Sequence, residues 1–147
     1  MILTETNFSK LKESIKKLKD SKEKIIFESL DDELNRKVLE KLPIQVLLIS
    51  LESRKDYQKQ RDSGFNQVMA KIAQKNKIQI GINLDELIES KNQPRILARI
   101  IQNIELCNKY KIQMQFIQGK HKRNIYDLKS LGLVLGMPTW MTKGLEN

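Results

Sequence analysis

Five short apolar runs, each followed by a segment of helical period, limit this chain more tightly than any other feature. The runs cover residues 2–6, 24–28, 46–50, 78–82 and 112–117 and are rich in β-branched or aromatic residues, as strands are. Val46, Leu47, Leu48 and Ile49 are apolar without a break, which predicts a parallel strand buried on both faces. Strand and helix in strict alternation imply right-handed crossovers and a parallel sheet. A closed barrel of eight such units takes about 250 residues. The 147 residues here therefore predict a single α/β domain over residues 1–147. Its five strands form either part of a barrel or an open, flavodoxin-like sheet.

The intervening segments carry apolar stripes at steps of three and four. Phe8, Leu11, Ile15 and Leu18 form the first, on a helix whose other faces hold Lys10, Lys12, Lys16, Lys17 and Lys19. Leu34, Val38 and Leu39 form the second, capped by Asp31 or Asp32 and stopped by Pro43. Phe65, Val68, Met69, Ile72 and Ala73 make the third. Leu97, Ile100, Ile101, Ile104 and Cys107 make the fourth, opening with Pro94 at the first helical position, where a missing N–H costs nothing. A last helix is expected from a cap at Asp127, with Leu128, Leu131 and Leu135 facing in, until Gly136 and Pro138 end it.

Composition narrows the chemistry. A single cysteine, Cys107, leaves no internal disulfide and no cysteine-based zinc site, and a single histidine, His121, excludes the clusters that hold catalytic zinc. Ser50, Ser53 and Ser63 have no histidine base other than His121, which has no orienting carboxylate in its sequence neighbourhood. Gly119-Lys120 lacks the upstream glycine of a phosphate loop, and Gly132 and Gly136 do not space a dinucleotide fingerprint. Glu28, Glu52 and Asp62 fall at strand ends or in loops, where a metal-dependent phosphohydrolase would keep carboxylates, but without accompanying histidines. No apolar stretch approaches the ~20 residues of a membrane span, and residues 1–8 lack the regions of a signal peptide. A soluble, cytoplasmic protein with no membrane partner is expected.

Charge points to the partner. Lys and Arg total 27 against 18 Asp and Glu, a formal net charge of +9, which favours a polyanion and, first among polyanions, nucleic acid. Two basic clusters follow strands: Arg54, Lys55, Lys59 and Arg61, interleaved with Tyr57, and then Lys120, His121, Lys122 and Arg123. Loops at the carboxyl ends of parallel strands share one face, so the two clusters are placed to converge there. Arginine would clamp phosphate bidentately, lysine would act as a mobile charge, and Tyr57 would stack on an unpaired base. The same charges would equally serve as a solvated surface, and the sequence pattern leaves both readings open.

The segment Arg61-Asp62-Ser63-Gly64-Phe65-Asn66-Gln67-Val68-Met69-Ala70-Lys71-Ile72-Ala73 resembles the signature of ribonuclease P protein component 3, the archaeal counterpart of the eukaryotic thirty-kilodalton subunit. Leu34-Asn35-Arg36, Leu97-Ala98-Arg99 through Asn103, and Tyr126-Asp127-Leu128 with Leu131-Gly132 and Leu135-Gly136-Met137 are similar to family segments in the same order. The resemblance implies a truncated barrel like that of metallohydrolases but without their metal-binding histidines, starting at an interior strand of the family. It implies an RNA-binding subunit of the enzyme that removes 5′ leaders from precursor tRNA. The chain itself would carry no catalytic residue, metal or cofactor, and magnesium would serve the RNA. Its partners would be the ribonuclease P RNA, precursor tRNA and a small ferredoxin-like subunit. Carried over by position, Arg61 is the first candidate for RNA phosphate and Arg123 the second, with Lys120, Lys122, Arg54, Lys55, Lys59 and Tyr57 beside them. Asp62 and Ser63 are expected to cap a helix and Gly64 to make a tight turn, with Asn66 at the helix start. Asn35, Arg36 and Arg99 match motif positions elsewhere, and Arg36 is a candidate for a buried ion pair. The alternative is a protein-interaction module on an open flavodoxin-like sheet, its charge serving solubility.

Overall fold

The computed structural model of the chain describes residues 1–18 and 21–146. Five strands alternate with seven helices among them: β1 (Ile2–Leu3), α1 (Phe8–Leu18), β2 (Ile26–Ser29), α2 (Asp32–Lys41), β3 (Val46–Ile49), α3 (Gln67–Asn76), β4 (Gln79–Asn83), α4 (Leu84–Glu89), α5 (Gln93–Tyr110), β5 (Met114–Ile117), α6 (Ile125–Val134) and α7 (Thr139–Lys143). All five predicted strands are present; four are shorter than their apolar runs, and β4 keeps the length of its run but starts one residue later.

Strand order decides between the two architectures that the sequence left open. The sheet runs β1-β2-β3-β4-β5, every neighbouring pair parallel. A flavodoxin-like sheet reverses direction at a switch point and so places helices on both faces. A strictly sequential order with right-handed crossovers keeps the helices on one face, as a barrel does. The flavodoxin-like alternative is therefore corrected to a partial barrel of five strands.

Side chains alternate across each strand, and the register shows what each face buries. Phe27, Leu47, Ile49, Ile80, Ile82, Met114 and Phe116 face the helices and join one core with Leu11, Val38, Met69, Ile100 and Ile104. The opposite face carries Val46, Leu48, Gly81, Gln115 and Ile117. Val46 and Leu48 are fully buried there, outside the main core. A Cβ at Gly81 would lie 3.0–3.1 Å from Leu48, Ile117 and Val46, so the missing side chain lets the sheet curl until three strands meet on its inner face.

The chain's last described residues brace this inner face. Gln113 Nε2 donates to Met141 O (2.8 Å), Gln115 Nε2 donates to Gly144 O (2.7 Å), and Glu146 N donates to Gln115 Oε1 (2.9 Å). Glu146 then reaches Lys24 Nζ, just before β2, at 2.6 Å. β1 and β5 do not pair with one another, so this strap and not a strand ladder spans the opening.

One helix starts at an expected cap, and others start a few residues to either side of the expected one. Asp31 caps α2 by accepting from Glu33 N and Leu34 N. Asn66 caps α3, accepting from Met69 N, in place of Asp62 or Ser63. Asn124 caps α6, and the expected cap, Asp127, lies in its first turn. Gln93 precedes Pro94 in α5. Val68 and Ile101, expected inside, are 50% and 39% exposed, and Ala70 and Ile96 take the inward positions.

Candidate nucleic-acid interface

The segment between β3 and α3 is built on two arginines. Arg99 projects from the middle of α5, its side chain 2% exposed. It donates to Leu51 O at 2.9 Å, Arg54 O at 2.8 Å and Asp56 Oδ1 at 2.9 Å. Arg54 folds back over Gly64, donates to Ser50 O at 2.7 Å, and pairs with Asp32 at 2.8 Å and Asp62 at 3.4 Å. Burial opposes its charge, and the hydrogen bonds and charges of Asp32 and Asp62 outweigh that cost and hold it protonated. Arg99, followed by the Asp62 backbone N–H, holds the Asp56 carboxyl below the usual carboxylate range. Gly64, at φ +69°, sits in the left-handed region, and a Cβ there would strike the Arg54 guanidinium.

This framework corrects three expectations. The Arg54 side chain, expected to be free for phosphate, is 6% exposed and paired with Asp32 and Asp62. Asp62 and Ser63 are not helix caps: Asp62 Oδ1 accepts from Gly64 N at 2.9 Å, and Ser63 Oγ donates to Phe65 O at 3.1 Å. Arg36, proposed for a buried pair, is 57% exposed in an i,i+4 pair with Glu40 at 3.3 Å. Asn35 is fully buried and donates to Ser29 O at 3.1 Å, so it ties α2 to the end of β2.

What the arginine framework presents outward is a basic turn. Tyr57 N donates to Gln60 O (2.8 Å) and Gln60 N to Tyr57 O (3.3 Å). The turn carries Lys55, Lys59 and Arg61 exposed, with Tyr57 71% exposed among them. None of these three cations forms an ion pair among the described residues. An exposed aromatic ring between free cations can stack a base while the cations meet phosphate.

The second cluster is held differently. Asp85 and Glu89, one turn apart on α4, clamp the β5–α6 loop: Asp85 accepts from Lys120 N (2.7 Å) and His121 N (2.8 Å). Glu89 meets Lys120 Nζ at 2.8 Å and His121 Nε2 at 2.9 Å. The His121 and Lys120 backbone N–H groups depress the Asp85 carboxyl, and the Lys120 and His121 side chains depress that of Glu89. The Glu89 hydrogen bond in turn raises Lys120. Lys120 thus pairs with Glu89 at the surface, while the exposed Lys122 and Arg123 side chains, among the described residues, bond only to the Gln118 and Lys122 carbonyls. The first cluster leans on α5 and the second on α4. No hydrogen bond or ion pair joins them among the described residues.

Sequence reasoning missed the acidic partners. The i,i+4 spacing of Asp85 and Glu89 was the available signal for the clamp. Glu86 was missed too: its Oε1 accepts from Ser50 Oγ, Leu51 N and Glu52 N at 3.1, 2.8 and 2.7 Å and so fixes the chain leaving β3. Burial, and then Glu86, pushes the nearby Glu28 carboxyl up. Among the described residues no three His, Cys, Asp or Glu side chains group as a metal site, and Glu28, Glu52 and Asp62 do not form one.

Comparison with known proteins bears on this arrangement. No family model matches the chain. Ribonuclease P protein component 3 of Methanosarcina acetivorans is 32% identical over 130 residues, covering 87% of this chain and 51% of that protein. Its namesake from Methanococcus vannielii is 29% identical over 126 residues, covering 84% and 51%. The chain is related to ribonuclease P protein component 3. It spans about half the length of these component 3 relatives. A chain of the cryo-EM structure of archaeal ribonuclease P with mature tRNA superposes with a TM-score of 0.78 at 21% identity, over 97% of this chain and 62% of that one. That likeness establishes a shared fold.

Proposed function

We propose that this chain is a non-catalytic, RNA-binding subunit of ribonuclease P that assists an RNA catalyst in removing 5′ leaders from precursor tRNA. The observation that carries the reading is similarity to component 3 over most of this chain. The basic turn with Tyr57 at its tip, held rigid by buried Arg99 and Arg54, supplies a surface suited to the task. Lys55, Lys59 and Arg61 meet phosphate, Tyr57 stacks an unpaired base, and Lys122 and Arg123 add a second contact. Magnesium is held by the RNA, and a ferredoxin-like subunit and precursor tRNA complete the particle in the cytoplasm.

The test is leader cleavage of a precursor tRNA by the cognate RNA at limiting magnesium, with the ferredoxin-like subunit present and this chain added or omitted. Stimulation is expected, and replacing Lys55, Lys59, Arg61, Lys122 and Arg123 by Ala is expected to abolish it without unfolding the protein. If all five cations meet phosphate, affinity falls about 500-fold between roughly 50 and 200 mM salt by counterion release. Absence of stimulation by the wild-type chain, or full stimulation by the five-fold variant, overturns the reading.

A further inference from the structure

The amino ends of the strands, at the opposite end of the barrel from the basic turn, carry a second set of exposed cations. Lys41 ends α2, Lys75 and Lys77 end α3, Lys109 and Lys111 end α5, and Lys143 ends α7. The ends of α2, α3 and α5 lead to the amino ends of the next strands, and α7 reaches the start of β5 through the Gln113–Met141 hydrogen bond. All six lysines are exposed, and none forms an ion pair among the described residues; Lys111 Nζ also donates to Asn108 Oδ1 at 3.4 Å and lies 5.4 Å from the centre of the Trp140 ring, and Lys109 lies over Tyr110.

Two of them are placed by the same device, used twice. Lys75-Asn76-Lys77-Ile78-Gln79 and Lys109-Tyr110-Lys111-Ile112-Gln113 follow one pattern, Lys-x-Lys-Ile-Gln, at the α3–β4 and α5–β5 turns. In each the second lysine is left-handed, φ 56° at Lys77 and 55° at Lys111. In each the isoleucine N–H closes the helix by donating to a carbonyl five residues back, Ala73 at 2.9 Å and Cys107 at 2.8 Å. β4 and β5 are neighbours with Ile80 opposite Met114, so Gln79 lies opposite Gln113 and the two turns stand side by side. Lys77 and Lys111 line one cleft of about 220 Å³ together with Gln74, Gln79 and Gln113. Lys77 and Gln79 also line the neighbouring cleft of about 640 Å³ that runs to Lys24.

The left-handed position is where glycine or asparagine normally ends a helix, because a Cβ is disfavoured there. A lysine accepts that cost at both turns. Relief of the helix dipole does not account for the choice, since Lys75 and Lys109 already sit in the last turns. The ammonium groups are point charges on flexible stems, suited to phosphate oxygens and not to base edges.

We infer that the twin Lys-x-Lys-Ile-Gln turns form a second RNA-contact face, at the amino ends of the strands, which grips the phosphodiester backbone without reading sequence. The inference rests on the RNA-binding role proposed above and adds a surface on the other side of the molecule. A protein with cationic faces at both ends of its barrel can bridge two segments of a folded RNA.

The deciding variants are K77G/K111G and K77N/K111N, which remove the charges while supplying residues at home in the left-handed region. Both are expected to hold or raise Tm. Binding of wild type and variants is measured by filter retention or fluorescence anisotropy against the cognate catalytic RNA and an unrelated duplex RNA, across a salt series. Losing two phosphate contacts lowers the slope of log affinity against log salt by about 2, and lowers affinity about 60-fold near 0.1 M salt. K77R/K111R is expected to bind as wild type does. Unchanged affinity and slope in the folded Gly and Asn variants overturn the inference, as does failure of the wild type to bind either RNA. The functional reading fails separately: if the variants lose RNA affinity but the wild type never stimulates leader cleavage, the face stands and the ribonuclease P role does not.

Discussion

Arg99→Met removes the guanidinium on which the β3–α3 segment rests while keeping a stem that fills much of the same space. Wild-type Arg99 satisfies Leu51 O, which is buried, and Arg54 O, which is partly buried. A buried carbonyl stripped of its donor costs about 1–3 kcal/mol, so the first loss is set at about 2 kcal/mol and the second at about 1. The Asp56 contact adds little, because its side chain is 37% exposed and returns to water when the arginine leaves. The sum, about 3 kcal/mol, corresponds to a fall in Tm of roughly 6–12 °C for a domain of this size. Urea unfolding followed by fluorescence of the single tryptophan, Trp140, measures it. Amide exchange at Gly64 and Tyr57 is expected to rise in parallel, because the basic turn loses its floor. A loss below about 1 kcal/mol would refute the reasoning that carbonyl satisfaction, and not the arginine stem, holds this segment.

Three further outcomes are expected. Gly64→Ala places a side chain at φ +69° and displaces the Arg54 guanidinium, so a loss of about 2 kcal/mol or more is expected by chemical denaturation; an unchanged midpoint would show that Arg54 moves freely. The Asp85–Glu89 clamp depends on carboxyls held below their usual values. Its hold on the loop is complete above the ordinary carboxylate range near pH ~4 and is lost as pH falls through the depressed values. The amide resonances of Lys120 and His121 should therefore shift in acid, and D85N/E89Q should show the released pattern at neutral pH. Cys107 is buried, and burial pushes its thiol up, so it should resist thiol reagents in the folded protein and react at the rate of global unfolding; rapid labelling under native conditions would contradict its place in the core.

Strand positions and most inward-facing residues were legible in the sequence because both follow from local periodicity. The barrel-like order was not, since five strand–helix units fit either a reversing or a sequential sheet until pairing is known. α4 and α7 escaped notice because six and five residues are too few to show a helical period. The site was read in part. Lys55, Tyr57, Lys59 and Arg61 stand exposed together as their spacing suggested. Arg54, in the same cluster, is buried because Asp32 and Asp62, 22 and 8 residues away, neutralise it. Arg99 finds Asp56 across 43 residues. A sequence displays the sign of each charge but not the partner that folding brings to it, and here those partners separate structural arginines from free cations. The repeated Lys-x-Lys-Ile-Gln pattern was missed in the sequence, because two five-residue matches 34 positions apart gain meaning only from the left-handed turns and from β4 lying beside β5.

The consecutive strand order also has a kinetic side. Every strand pairs only with the strand next to it in the chain, so each unit can dock on its predecessor after closing one loop of modest length. Parallel pairing is slower than helix packing because each crossover must close first, but pairing of consecutive units keeps those loops short and lets folding spread outward from an adjacent pair. The contact between Lys24 and Glu146 spans 122 residues and stands apart. Closing so long a loop is entropically costly until the intervening strands have shortened the distance. The strap is thus placed to form last and to open first, and opening it would free the inner face of the barrel while leaving the helix-covered core intact.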